Sequence, residues 1–218
     1  NNNEGSSPYS GSVNESTTDS VPGFQFRYKR DGNDGLLEVG AASVVAGIET
    51  PDLLARSYDG LLDYTDATQD INLAAVGNGA WSFGLFLATS ANGVQRIFSK
   101  GNSEDQTGWQ LFLDGQERVT FRINATSFNT GIIANDGQLN HFFLTCDGSG
   151  GTLRLYWQGV QVSTGALPAY NIDNSGNMSI GVYSDLFNPD FVGQMDGVRL
   201  YDRALTASEV QDLYLTKI

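Results

Sequence analysis

The chain has 218 residues, enough for one large β-domain, and its 26 glycines against 5 prolines mark a chain cut by tight turns. Its 25 acids against 12 bases leave a net charge of −13, a field that repels a phosphate backbone and argues against nucleic acid as a partner. No apolar run approaches the ~20 residues needed to cross a bilayer, which argues against membrane insertion, and Cys146, the single cysteine, has no mate for an internal disulfide.

Residues 1–22 are mostly Asn, Ser, Thr and Gly. So polar a segment cannot repay its own ordering entropy, so it is expected to be a tail, or an arm ordered only against its own domain or a neighbouring subunit. The chain opens on Asn1-Asn2-Asn3 without a methionine, as one shorn of an export signal or an upstream domain would. Residues 23–218 then read as one domain. Phe24, Phe26 and Tyr28 alternate with Gln25, Arg27 and Lys29, and Asp31-Gly32 and Asp34-Gly35 turn the chain into Leu36–Val39, the pattern of a hairpin.

Further strands are expected at Trp81–Thr89, Gln95–Lys100, Trp109–Leu113, Arg118–Asn124, His141–Asp147, Thr152–Gln158, Asn177–Tyr183 and Gly193–Tyr201. Asn92-Gly93, Asp114-Gly115, Asp136-Gly137 and Asp147-Gly148 punctuate them. Short strands at this spacing, with little helical periodicity, indicate an all-β, two-sheet antiparallel sandwich. Phe191, Gly193 and Met195 share one parity while Val198 and Leu200 take the other. A regular strand cannot aim both sets at one core, so a β-bulge is expected at Asp196-Gly197. Thr206-Ala207-Ser208-Glu209 is a capping box, and Val210, Leu213 and Tyr214 follow on one helical face, predicting one short C-terminal helix.

The stretch from Phe191 to Val210 (FVGQMDGVRLYDRALTASEV) resembles the terminal phrase of bacterial and viral laminin-G-like domains, F-x-G-x-I-D-x-V-R-I-Y-x-R-A-L-(S/T)-x-x-E. Tyr58-Asp59-Gly60 with Asp63-Tyr64, His141–Asp147 and Leu153–Gly159 resemble three upstream phrases of the same family. Trp157, Gln158 and Leu139 depart from its usual valine, aspartate and tryptophan, and residues 1–54 carry no match. The resemblance implies a concanavalin A-like jelly roll on an extracellular, cell-surface or virion surface. Its implied role is a recognition or adhesion module for a glycan or a surface protein. A second role open to it is a structural or decoration protein of a capsid, fibre or cell-surface layer, with the N-terminal arm docked on neighbours.

An enzyme is the third class. A glycosidase needs paired carboxylates, but the E-x-D-x-x-E pattern of related glucanases is missing, and Glu38 and Glu104-Asp105 have no partners in phase. His141, the one histidine, falls where the family keeps it structurally, so no catalytic residue is assigned and the chain is read as a non-enzyme. Related sandwiches hold a structural Ca²⁺ near the position of Asp196, and Asp59 could bring a second carboxylate to it. Trp157 shares its parity with Leu153 and Leu155 and is expected inside, leaving Tyr156 on the other face. Trp109, Tyr156, Tyr170, Tyr183 and Phe187 are the candidate ligand-contacting aromatics.

Overall fold

The computed structural model describes residues 78–100, 108–123, 125–170, 178–182 and 191–216, with strand segments at 24–27, 37–39, 43–46, 54–59 and 64–66. The expected arm at residues 1–22 lies outside the described residues.

The strands form two antiparallel sheets. The first contains β1 (Phe24–Arg27), β3 (Ser43–Ala46), β4 (Leu54–Asp59), β6 (Trp81–Ala88), β11 (Asn140–Cys146), β12 (Thr152–Trp157), β13 (Val160–Ala166) and β15 (Val192–Tyr201). It runs β13-β12-β11-β6-β15-β4-β3, with β1 also paired to β15. The second contains β2 (Leu37–Val39), β5 (Tyr64–Asp66), β7 (Gln95–Lys100), β8 (Trp109–Leu113), β9 (Arg118–Ile123), β10 (Thr126–Ile133) and β14 (Met178–Ile180), in the order β10-β9-β8-β7-β14-β5-β2. One helix, α1 (Ala207–Thr216), ends the described chain.

Alternation along the strands builds the core. Phe83 and Leu85 of β6, Leu144 of β11, Leu155 of β12, Val198 and Leu200 of β15, Phe121 of β9 and Ile180 of β14 are all buried in it, and Trp157 packs against it partly buried. An aromatic column runs through its middle, where Trp109 stacks between Trp81 and Phe98 at centroid distances of 4.9 and 4.6 Å. Large rings in offset contact supply much of the area removed from water here.

The expected bulge is present. The β15–β6 register shifts between Asp196 and Arg199, Gly197 takes φ 57°, and Met195 and Val198 both reach the core. One extra residue restores the inward parity that a regular strand would have lost. The capping box also forms: Glu209 N–H donates to Thr206 Oγ1, and Thr206 N–H donates to Glu209 Oε2.

The expected N-terminal hairpin does not form. β1 pairs with β15 of the first sheet and β2 with β5 of the second. Alternation marks a strand but does not choose its partner, and here the partners lie far along the chain. Five strands, β3, β4, β5, β10 and β13, had no counterpart in the sequence reading, and the last two show why. β10 is half-exposed along its length and interrupted by Gly131, and β13 is an edge strand with Val160 and Val162 facing solvent. Both sit at sheet edges, where apolar alternation weakens. The strand expected at Asn177–Tyr183 is shorter, with β14 ending at Ile180.

Candidate functional site

The two sheets differ on the faces they turn away from the core. On the first sheet, Phe143, Tyr156 and Tyr201 form a second buried cluster with Leu205, Val210 and Leu213, so α1 seals this face. Tyr156 was expected on this face and lies there, but as a candidate ligand platform it is corrected: it is 1% exposed, covered by the helix.

Two more aromatic candidates are corrected by burial. Trp109 is fully buried in the aromatic column. Tyr170 is buried at one end of the core, where its hydroxyl accepts from Trp81 Nε1 at 3.1 Å and lies 2.9 Å from Cys146 Sγ. Burial pushes both the Tyr170 phenol and the Cys146 thiol up, with the contact between them a smaller influence. Neutral groups are therefore favoured, and the trio ties β6 to β11 and to the loop after β13. Tyr183 and Phe187 lie outside the described residues.

The metal pair does not meet. The β15–β4 register sets Val192 opposite Asp59 and Met195 opposite Arg56. Asp196 therefore lies four residues along the strand from the level of Asp59, ~13 Å at a rise of ~3.3 Å per residue. One calcium ion, with ligands at ~2.5 Å, cannot bridge them. Asp196 Oδ1 accepts the amide of Gly197 at 2.7 Å, the bulge-capping role. Among the described residues no three of His, Cys, Asp or Glu gather into one cluster.

His141 is also structural. It is 1% exposed among Phe86, Phe143 and Tyr214. Burial first, and the nearby Arg199 cation second, push its pKa down to about 3.

The second sheet presents a different outer face. In β9, Val119, Phe121 and Ile123 point into the core, so Arg118, Thr120 and Arg122 point out. Cross-strand pairing extends this into two rows. One runs Arg96, Phe112, Thr120, Asn129 across β7, β8, β9 and β10, and the other runs Ser99, Gln110, Arg122, Ser127. Directly paired residues share a face about 5 Å apart.

The Arg96 guanidinium lies 4.8 Å over the Phe112 ring. Asn129 Nδ2 donates to Thr120 Oγ1 at 2.8 Å and to Asp114 Oδ2 at 3.0 Å, and Arg118 grips the same carboxylate. Ser99 Oγ donates to the carbonyl of Val182 at 3.0 Å. Gln110, Thr120 and Ser99 are buried at the floor, with Arg96, Phe112 and Arg122 half-buried around them and Ser127 and Asn129 exposed. The parity of β9 was legible in its sequence, but nothing there marks this face, rather than that of the first sheet, as uncovered by the helix.

The described residues thus form a two-sheet sandwich with a helix packed on one outer face and polar side chains on the other. Residues 62–211 match the laminin-G-like family model described as the concanavalin A-like lectin/glucanases superfamily, and the chain belongs to that family. Among solved structures it is similar to domain 4 of AbnA, an extracellular GH43 arabinanase from Geobacillus stearothermophilus, in complex with arabinotriose. That match has TM-score 0.63 at 19% identity, covering 81% of this chain and 82% of that one.

The Ruminococcus gnavus IT-sialidase CBM40 bound to α2,3-sialyllactose gives TM-score 0.61 at 16% identity, covering 73% of this chain and 96% of that one. A curated relative from Rattus norvegicus, the sushi, von Willebrand factor type A, EGF and pentraxin domain-containing protein 1, is 31% identical over 117 residues. That covers 50% of this chain but only 3% of the relative's length.

Proposed function

We propose that this chain is a non-catalytic, extracellular recognition module that binds a glycan on the outer face of β7–β10. The observation that carries this reading is the contrast between the two outer faces. One is closed by α1 over an apolar cluster. The other sets arginine, amide and hydroxyl groups around Phe112 on paired strands. Hydrogen-bonding groups on rigid strands beside an aromatic ring suit a polyhydroxylated ligand. The glycan-bound domains with the same fold support the reading.

The strands β7, β8, β9 and β10 contain no Asp or Glu. Glycoside hydrolysis by the usual route needs two carboxylates flanking the bond, so this face offers binding without cleavage.

Affinity electrophoresis through gels cast with arabinan, galactan, xylan or a sialylated glycoprotein tests this. The wild type is retarded by at least one gel, and the Arg96→Ala/Phe112→Ala variant is not. Full retardation of that variant, or release of reducing ends from the bound glycan, sinks the proposal.

A further inference from the structure

Resting on that reading, we infer that Arg122 recognises a carboxylate, so that the glycan bound on this face carries an acidic sugar. Acids outnumber bases twofold in this chain, and three of its other arginines pair with them. Arg118 pairs with Asp114, Arg154 with Asp147 and Arg203 with Glu209. Arg122 does not. Among the described residues its guanidinium has no hydrogen-bond or ion-pair partner, and its Nε is buried with no acceptor.

A buried donor left unmade carries a desolvation penalty, and the four surrounding strands contain no Asp or Glu to relieve it. The guanidinium is a planar fork of donors that matches a carboxylate through two parallel bonds, which a single sugar hydroxyl cannot reproduce. Gln110 and Ser127 flank Arg122 on the adjacent strands, at cross-strand distance, with an amide and a hydroxyl for the neighbouring ring hydroxyls. Arg96, two strands and one row away, adds a second positive charge to the same face. A field of net charge −13 disfavours a long polyanion, so the match is a charge presented singly on a sugar acid.

Calorimetric titration with matched short ligands decides the matter: sialyllactose against lactose, trigalacturonate against its methyl ester, and lactose 3′-sulfate as the non-carboxylate anion. The wild type should bind at least one carboxylated ligand about tenfold or more tighter than its neutral mate, the scale of a charge-assisted contact. Arg122→Ala, with an unchanged melting temperature, should lose that preference, and Arg122→Lys should keep part of it.

Equal binding of acid and neutral mates overturns the inference, as does a preference that survives Arg122→Ala or one for the sulfate alone. If neutral ligands bind without an acid preference and Arg96→Ala/Phe112→Ala abolishes that binding, only the inference falls. Binding to none of the five overturns the glycan reading with it.

Discussion

Acidification tests the sealed face of the first sheet through His141. The imidazole is 1% exposed, its Nδ1 has no hydrogen-bond partner, and Phe86, Phe143 and Tyr214 surround it with ring centroids at 4.5, 5.7 and 5.7 Å. Arg199 adds a repelling cation, and the folded-state pKa falls to about 3. Asp196 is two strands away, across Phe86 in the same row.

In the unfolded chain the same group titrates near 6.5. The folded-state pKa is depressed, so the unfolded state takes up the proton first. The stabilisation is complete above ~pH 6.5 and is lost as pH falls towards 3. At pH 5, ~1.5 units below the unfolded value, the loss is about 2 kcal/mol at ~1.4 kcal/mol per unit.

His141→Phe keeps a flat aromatic ring in the cluster at a somewhat larger volume, removes the proton site and removes the unpaired nitrogen. Urea unfolding at pH 7.5 and pH 5.0, followed by the fluorescence of buried Trp81 and Trp109, compares the two. The wild type should lose about 2 kcal/mol more than the variant between the two pH values. Equal losses would refute the claim that the imidazole is held neutral beneath the helix.

Glu209→Gln should cost about 1–2 kcal/mol, because one carboxylate both caps α1 and binds Arg203, a contact that, with the cap, pulls its pKa down to about 2. The ion-pair part of that stability holds above ~pH 4.5 and disappears as pH falls towards 2, so thermal melts at pH 7 and pH 2.5 should differ less for the variant. Gly84→Ala places a Cβ 1.8 Å from Phe143 Cδ2, inside a cluster with no slack. It should destabilise by about 1–3 kcal/mol, and Phe143→Leu in the same chain should recover part of the loss in a double-mutant cycle. Calcium added to chelator-treated protein should leave the melting temperature unchanged, whereas a rise that Asp196→Asn abolishes would show an ion on that carboxylate. Asp196→Ala removes the acceptor for the Gly197 amide and should cost about 1–2 kcal/mol by denaturant titration.

Local chemistry alone determined several parts of this protein. The break in period between Met195 and Val198 required a bulge, and the Thr206–Glu209 spacing required a helix start, because each is a rule about neighbouring residues. Strand parity placed Trp157 against the core and Tyr156 on the opposite face for the same reason.

Tertiary structure decided the rest. Tyr156 is buried because α1, some fifty residues further on, lies over it, and Trp109 because rings from β6 and β7 close on both its sides. Asp59 and Asp196 are kept apart by the register of β4 on β15, and β1 and β2 are parted by pairing with different sheets. Arg122 looked like any outward residue of an alternating strand. That its guanidinium has no partner among the described residues follows from what the neighbouring strands set beside it, and no period in one strand's sequence encodes its neighbours.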